Sequence, residues 1–139
     1  SGGKNQNLFR HMLAVEAAMR SLARRFGGNQ ELWGILGLIH DADWEETKSD
    51  PGRHTQVTLE RLNADGFTSG PIVQALKSHN RKYTQLGQLE SVMEWALETC
   101  DELTGFIVSV TLVRPEKKIS SVTVENVTAV RFVLKRVRI

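Results

Sequence analysis

Apolar residues recur at steps of three and four from Leu8 through Met12, Val15, Met19 and Leu22 to Phe26, the spacing of one helix face rather than the alternation of a strand. A first helix is therefore predicted over 7–26, closed by Gly27-Gly28. Asn29 can cap a second helix, which carries Leu32, Ile35, Leu36 and Ile39 and is expected to reach about residue 43, with His40 and Asp41 on its last turns. Pro51 suits the first turn of a third helix that carries Val57, Leu59 and Leu62 and stops near Gly66, so His54 falls in its opening turn. Ser69-Gly70-Pro71 repeats that start signal and predicts a short helix over 72–80 with His79 at its C-terminal end. A polar segment, 80–88, follows. The last long helix, 89–113, keeps the helical period through Val92, Met93, Ala96, Leu97, Cys100, Leu103, Ile107 and Val110 until Pro115 ends it. Asp101 sits in its middle.

Beyond Pro115 the chain is rich in valine and threonine, and 122–137 reads as a helix held by tertiary contacts, with an extended segment as the alternative. No repeat, low-complexity tract or linker interrupts the pattern. The expectation is an all-α protein, a single domain over 1–139 built as a bundle of five to six helices. Residues 1–6, opening with Ser1-Gly2-Gly3, are set aside as a tag remnant or disordered start, and 116–139 as an atypical C-terminal segment.

Composition changes this picture little. With 139 residues, 40% hydrophobic and 24% charged, the chain has the usage of one ordinary globular domain and not of a disordered one. The net charge of +2 gives no strong nucleic-acid signal, although a small phosphorylated substrate needs only a local cluster of positive side chains. A single cysteine, Cys100, excludes an intramolecular disulfide, and no stretch has the make-up of a secretory signal, so a cytoplasmic location is expected. The longest apolar run, 106–113, is interrupted by Ser109 and Thr111 and is far shorter than the ~20 residues that span a bilayer, so no membrane partner is expected.

The four histidines and two aspartates carry the candidate chemistry, in the order His11, His40-Asp41, His54, His79, Asp101. Imidazole nitrogen and carboxylate oxygen together suit divalent Mn, Fe, Co, Ni and Zn. Asp101 lies in an apolar helical stretch and needs a partner, because a buried carboxylate is costly unless paired or bound to a cation. A metal centre and phosphate ester hydrolysis are the reading this set serves most readily. Asp43, Glu45 and Glu46 follow the His-Asp pair closely enough to move protons, the alternative being a solvated acidic surface. Lys77, Arg81 and Lys82 flank His79 and either clamp substrate phosphate or form an exposed basic turn.

Three segments together resemble the HD-domain metal-dependent phosphohydrolase superfamily: Arg10-His11-Met12-Leu13-Ala14-Val15-Glu16, Gly37-Leu38-Ile39-His40-Asp41-Ala42-Asp43-Trp44-Glu45, and Cys100-Asp101-Glu102-Leu103-Thr104-Gly105. Gly52-Arg53-His54 and Lys77-Ser78-His79-Asn80 are similar to its accessory histidine positions, and the run from Asp101 to Leu112-Val113-Arg114-Pro115 resembles small stand-alone bacterial members. The resemblance implies that His11, His40, Asp41 and Asp101 hold one divalent ion (Mn, Fe, Co, Ni, Zn or Mg), with His40 and Asp41 central to catalysis. His54 and His79 then hold a second ion, contact substrate, or are simply solvated. The implied activity is hydrolysis of a small phosphate ester, a nucleotide first among them, by attack of metal-bound hydroxide. A homo-oligomer is left open.

Trp44 stands where the superfamily pattern suggests tyrosine, the substrate-selecting loops are short, and the segment after Lys118 departs from the family's tail. Two rival readings keep the site. One is a di-iron oxygenase of the same fold, for which the six potential ligands suffice. The other is a non-catalytic module that binds metal or nucleotide.

Overall fold

In the computed structural model, which describes residues 2–129, the helical spacing of the sequence becomes seven α-helices and two short 3₁₀ turns, with no strand among the described residues. The all-α expectation is met; among the described residues seven helices are complete rather than the five to six expected, because two four-residue helices lie in segments with no apolar period. Helix α1 spans Gly2–Phe26 and so begins earlier than residue 7. Gly27 ends it with φ +71°, and the Gly28 N–H reaches back to the Ala23 carbonyl at 2.8 Å, a closure that needs the left-handed conformation glycine adopts freely.

Asn29 caps α2 (Gln30–Ile39) as expected, its side chain accepting from the Leu32 N–H at 3.0 Å. The two helices form a hairpin whose close approach depends on Gly37. A Cβ there would lie 3.0 Å from the backbone of Val15 and Glu16.

Helix α2 stops at Ile39, earlier than the expected residue 43, and His40 is its C-terminal cap. Turns then carry the chain through Asp41 to α3 (Trp44–Thr47), with the Ala42 N–H bonded to Ile39 and the Trp44 N–H to Asp41. Pro51 opens a 3₁₀ turn, Pro51–Arg53, rather than a continuous helix; α4 (Gln56–Ala64) starts after Thr55, whose φ is +67°. Helix α5 (Pro71–His79) follows its sequence signal closely, and the short α6 (Arg81–Thr84) occupies the polar segment. Helix α7 (Val92–Val113) opens with a reciprocal cap: Glu94 accepts from the Ser91 N–H at 2.7 Å while the Ser91 hydroxyl accepts from the Glu94 N–H at 3.2 Å.

The chain, read from sequence as one domain, divides after Cys100 into two compact units. In the first, Val15, Met19 and Ala23 of α1, Trp33 and Leu36 of α2, Ala75 and Leu76 of α5, and Met93, Ala96, Leu97 and Cys100 of α7 form one apolar core. The second holds the remaining turns of α7, a 3₁₀ turn at Ile119–Ser121, and a helical start over 124–129 at which Thr123 and Asn126 cap each other. The helix expected over 122–137 is thus seen only in part, since 130–139 lie outside the described residues. No helix among the described residues is long and apolar enough to cross a membrane.

Candidate metal centre

Each histidine reaches the centre from a different element. His11 comes from the middle of α1, opposite His40, because the Gly37 contact sets α2 against α1 near Val15 and both histidines lie about one turn further toward the same end of the hairpin. Their rings stand 5.5 Å apart. His54 follows the 3₁₀ turn and His79 ends α5; Asn80 ties the two segments together by donating to the carbonyls of Pro51 and His54, each at 2.8 Å.

All four rings converge on the Asp41 carboxylate. Its Oδ2 lies 3.4 Å from His11 Nε2 and 3.4 Å from His40 Nε2, while Oδ1 lies 3.3 Å from His54 Nε2 and 3.9 Å from His79 Nε2. One carboxylate thus presents each oxygen to a separate pair of imidazoles. In each set, Asp41 with His11 and His40 and Asp41 with His54 and His79, candidate ligand atoms lie within 4.8 Å of one another, so these groups are able to hold a metal ion. Asp101 follows the core residue Cys100 in α7 and is the first residue of the second unit.

Second bonds fix two of the rings. A carbonyl can only accept, so His40 Nδ1–H donates to the Gly37 oxygen at 2.7 Å and leaves Nε2 to face Asp41. His54 Nδ1–H donates to Asp43 Oδ1 at 2.9 Å with the same result. Two acceptors facing each other at these distances repel unless a cation or a proton stands between them. The donor set therefore fits a borderline divalent ion well and Mg, which prefers all-oxygen coordination, less well.

The charges respond accordingly. Burial works to raise the Asp41 carboxyl, but hydrogen bonds from His11, His40, His54 and His79 override it and hold the group far below the usual carboxylate range. Burial works to lower His54, yet Asp41 and Asp43 raise it to about 9. Asp43 is likewise opposed by burial and brought down to about 2 by His54 and by the Thr58 and Thr55 N–H groups.

The acidic run after His40-Asp41 divides into three different roles. Asp43, which sequence reasoning grouped with its neighbours as a proton carrier or a solvated acid, is fully buried. It accepts from His54 and from the backbone N–H groups of Thr55 at 3.1 Å and Thr58 at 3.0 Å, and so anchors the centre from behind. Glu46 is exposed and paired with Arg61 at 2.8 Å. Glu45 lines a cleft of about 340 Å³ with Asn7, Leu8, His11, Asp41, Trp44 and Lys48, and bonds Lys48 at 2.7 Å. Asn7, Leu8 and Lys48 had no local signal that would have singled them out. Of the three basic candidates, Arg81 is committed to a two-pronged pair with Glu98, both bonds 3.1 Å, and a bond to the Ser78 carbonyl. Lys82 is exposed over the Tyr83 ring, and Lys77 is partly buried. None of these three lines the cleft.

Comparison with family models, with curated proteins and with solved structures finds no match to this chain.

Proposed function

We propose that this protein is a metal-dependent phosphohydrolase of the HD-domain kind, acting on a small phosphate ester, with nucleotides the first substrate class to test. The observation that carries the reading is the Asp41 carboxylate with an imidazole pair at each oxygen, beside an open cleft. His11, His40 and Asp41 are the ligands of the first ion. His54, His79 and the other oxygen of Asp41 are available to a second ion. A bound divalent ion lowers the pKa of a coordinated water and polarises a phosphoryl oxygen.

The chain's own residues supply the rest. His11 and Asp41 reach the cleft wall, so a substrate seated there meets the centre directly. Leu8 and Trp44 give the cleft apolar surface for a substrate to pack against, and Lys48, shared with Glu45, is the positive charge in its wall. Glu45, in the same wall, accepts from Lys48 and holds it at the cleft. A cleft of about 340 Å³ is of the size that holds a small ester.

The test is phosphate release from a panel of nucleotides and simple aryl phosphates by the protein supplied with Mn, Co, Ni or Zn in turn. Asp41→Ala is expected to reduce turnover by at least about 100-fold while keeping helical content. Full turnover in a folded, metal-depleted Asp41→Ala protein overturns the mechanism. The two-sided carboxylate also favours a second reading, a di-iron oxygenase, which predicts two irons per chain and oxygen uptake in place of phosphate release.

A further inference from the structure

The two sides of Asp41 are not built alike. On the Oδ2 side His40 is backed by a neutral acceptor, the Gly37 carbonyl, and His11 faces the cleft. On the Oδ1 side His54 is backed by a buried carboxylate, Asp43, and sits under the Trp44 ring, 5.3 Å away and edge-on. We propose that Asp43 is a positioning residue for an ion on the Oδ1 side of Asp41, acting through His54 and not through the other pair. The proposal rests on the metal reading given above.

Three features support it. Asp43 cannot swing, because both carboxylate oxygens are engaged: Oδ1 by His54 and the Thr55 N–H, Oδ2 by the Thr58 N–H. The bond to His54 orients the ring so that Nε2 lies 3.3 Å from Asp41 Oδ1, the place a shared ligand atom needs. A carboxylate behind an imidazole also makes its far nitrogen a stronger electron donor than a carbonyl does, and such outer partners typically change metal affinity 10–100-fold.

Asp43 also shapes the backbone that delivers His54. Thr55 is a fully buried, β-branched residue in the left-handed region, a conformation disfavoured without outside support, and its N–H is bonded to Asp43. The Thr58 N–H lies in the first turn of α4, which has no cap from Thr55 itself, so Asp43 serves as the external cap. The same carboxylate therefore fixes both the ring and the main chain on which it is mounted.

Metal-stripped wild type and Asp43→Asn are titrated with Zn²⁺ alone by calorimetry, with bound metal counted by elemental analysis. Wild type is expected to take up two ions, and Asp43→Asn to bind one of them 10–100-fold more weakly while the other is unchanged. Equal weakening of both ions, which a merely structural role produces, overturns the proposal, as does no change in either. A single ion on wild type overturns this proposal and leaves the metal reading standing; no ion on wild type overturns both. Should Asp43→Asn fail to fold, ¹⁵N-histidine spectra of the Zn²⁺-loaded wild type decide the matter. Supporting spectra show His54 with its proton on Nδ1 and a metal-shifted Nε2; a proton on Nε2 contradicts it.

Discussion

At the scale of single residues, charge in this protein is organised around Asp41, and the neighbouring ring of His54 carries the most testable consequence. Held between Asp41 and Asp43, His54 has its pKa raised to about 9, so near neutral pH the ring keeps both protons whenever no cation faces it. Metal ligation requires the Nε2 lone pair. Binding an ion on that side must therefore expel the proton below about pH 9 and need not above it. Zn²⁺ titrations near pH 7 in buffers of contrasting ionisation enthalpy are expected to differ by at least about one proton released per ion pair bound, with the difference shrinking near pH 10. Heats that do not depend on the buffer near pH 7 would count against the placement of His54 in the centre.

The candidate ligand residues stood out in the sequence because imidazole and carboxylate are scarce on apolar helix faces. Asp43 did not, and the reason is physical. It shares a run of acids with Glu45 and Glu46, both exposed, and only the fold distinguishes the one that turns inward to meet the amides of Thr55 and Thr58. Arg81 shows the converse. Its charge next to His79 suggested a phosphate contact, whereas Glu98, seventeen residues away, already engages both ends of its guanidinium.

At the scale of elements, the contact between α1 and α2 sets the distance from His11 to His40, and Gly37 controls that contact. Gly37→Val forces a side chain against the backbone of Val15 and Glu16, already 3.0 Å from where a Cβ would stand. The variant is expected to lose about 1–3 kcal/mol of stability by thermal or denaturant unfolding and to weaken metal binding, since the hairpin must open at the level of the histidines. Unchanged stability together with unchanged metal affinity would contradict the argument.

Elements with local punctuation were readable in advance: α1 before Gly27, α2 after Asn29, α5 after Gly70-Pro71, and the end of α7 before Pro115. The start of α7 was readable too, from Ser91 and Glu94 three residues later, a capping signal that periodicity alone passed over. Residues 40–55 were not. Between His40 and Pro51 there is neither glycine nor proline, and the chain leaves its helix where Asp41 meets His11 and His54 and where Asp43 meets His54, Thr55 and Thr58. The four-residue helices α3 and α6 are too short to show an apolar period.

At the scale of the whole molecule, a helical core from Val15 to Cys100 brings four histidines from distant parts of the chain onto one carboxylate, beside a cleft that reaches it. The core has no need of such a centre, since burying imidazoles and carboxylates costs stability unless a partner compensates. That cost is the physical ground for reading the cluster as a site. The most direct measurement is elemental mass spectrometry of the protein purified without chelating resin, wild type beside Asp41→Ala. The account predicts one or two divalent ions per chain in wild type, Mn, Co, Ni or Zn, lost when the carboxylate is removed; two irons would select the oxygenase reading. No metal in wild type after resupply, or equal metal in Asp41→Ala, would contradict the account.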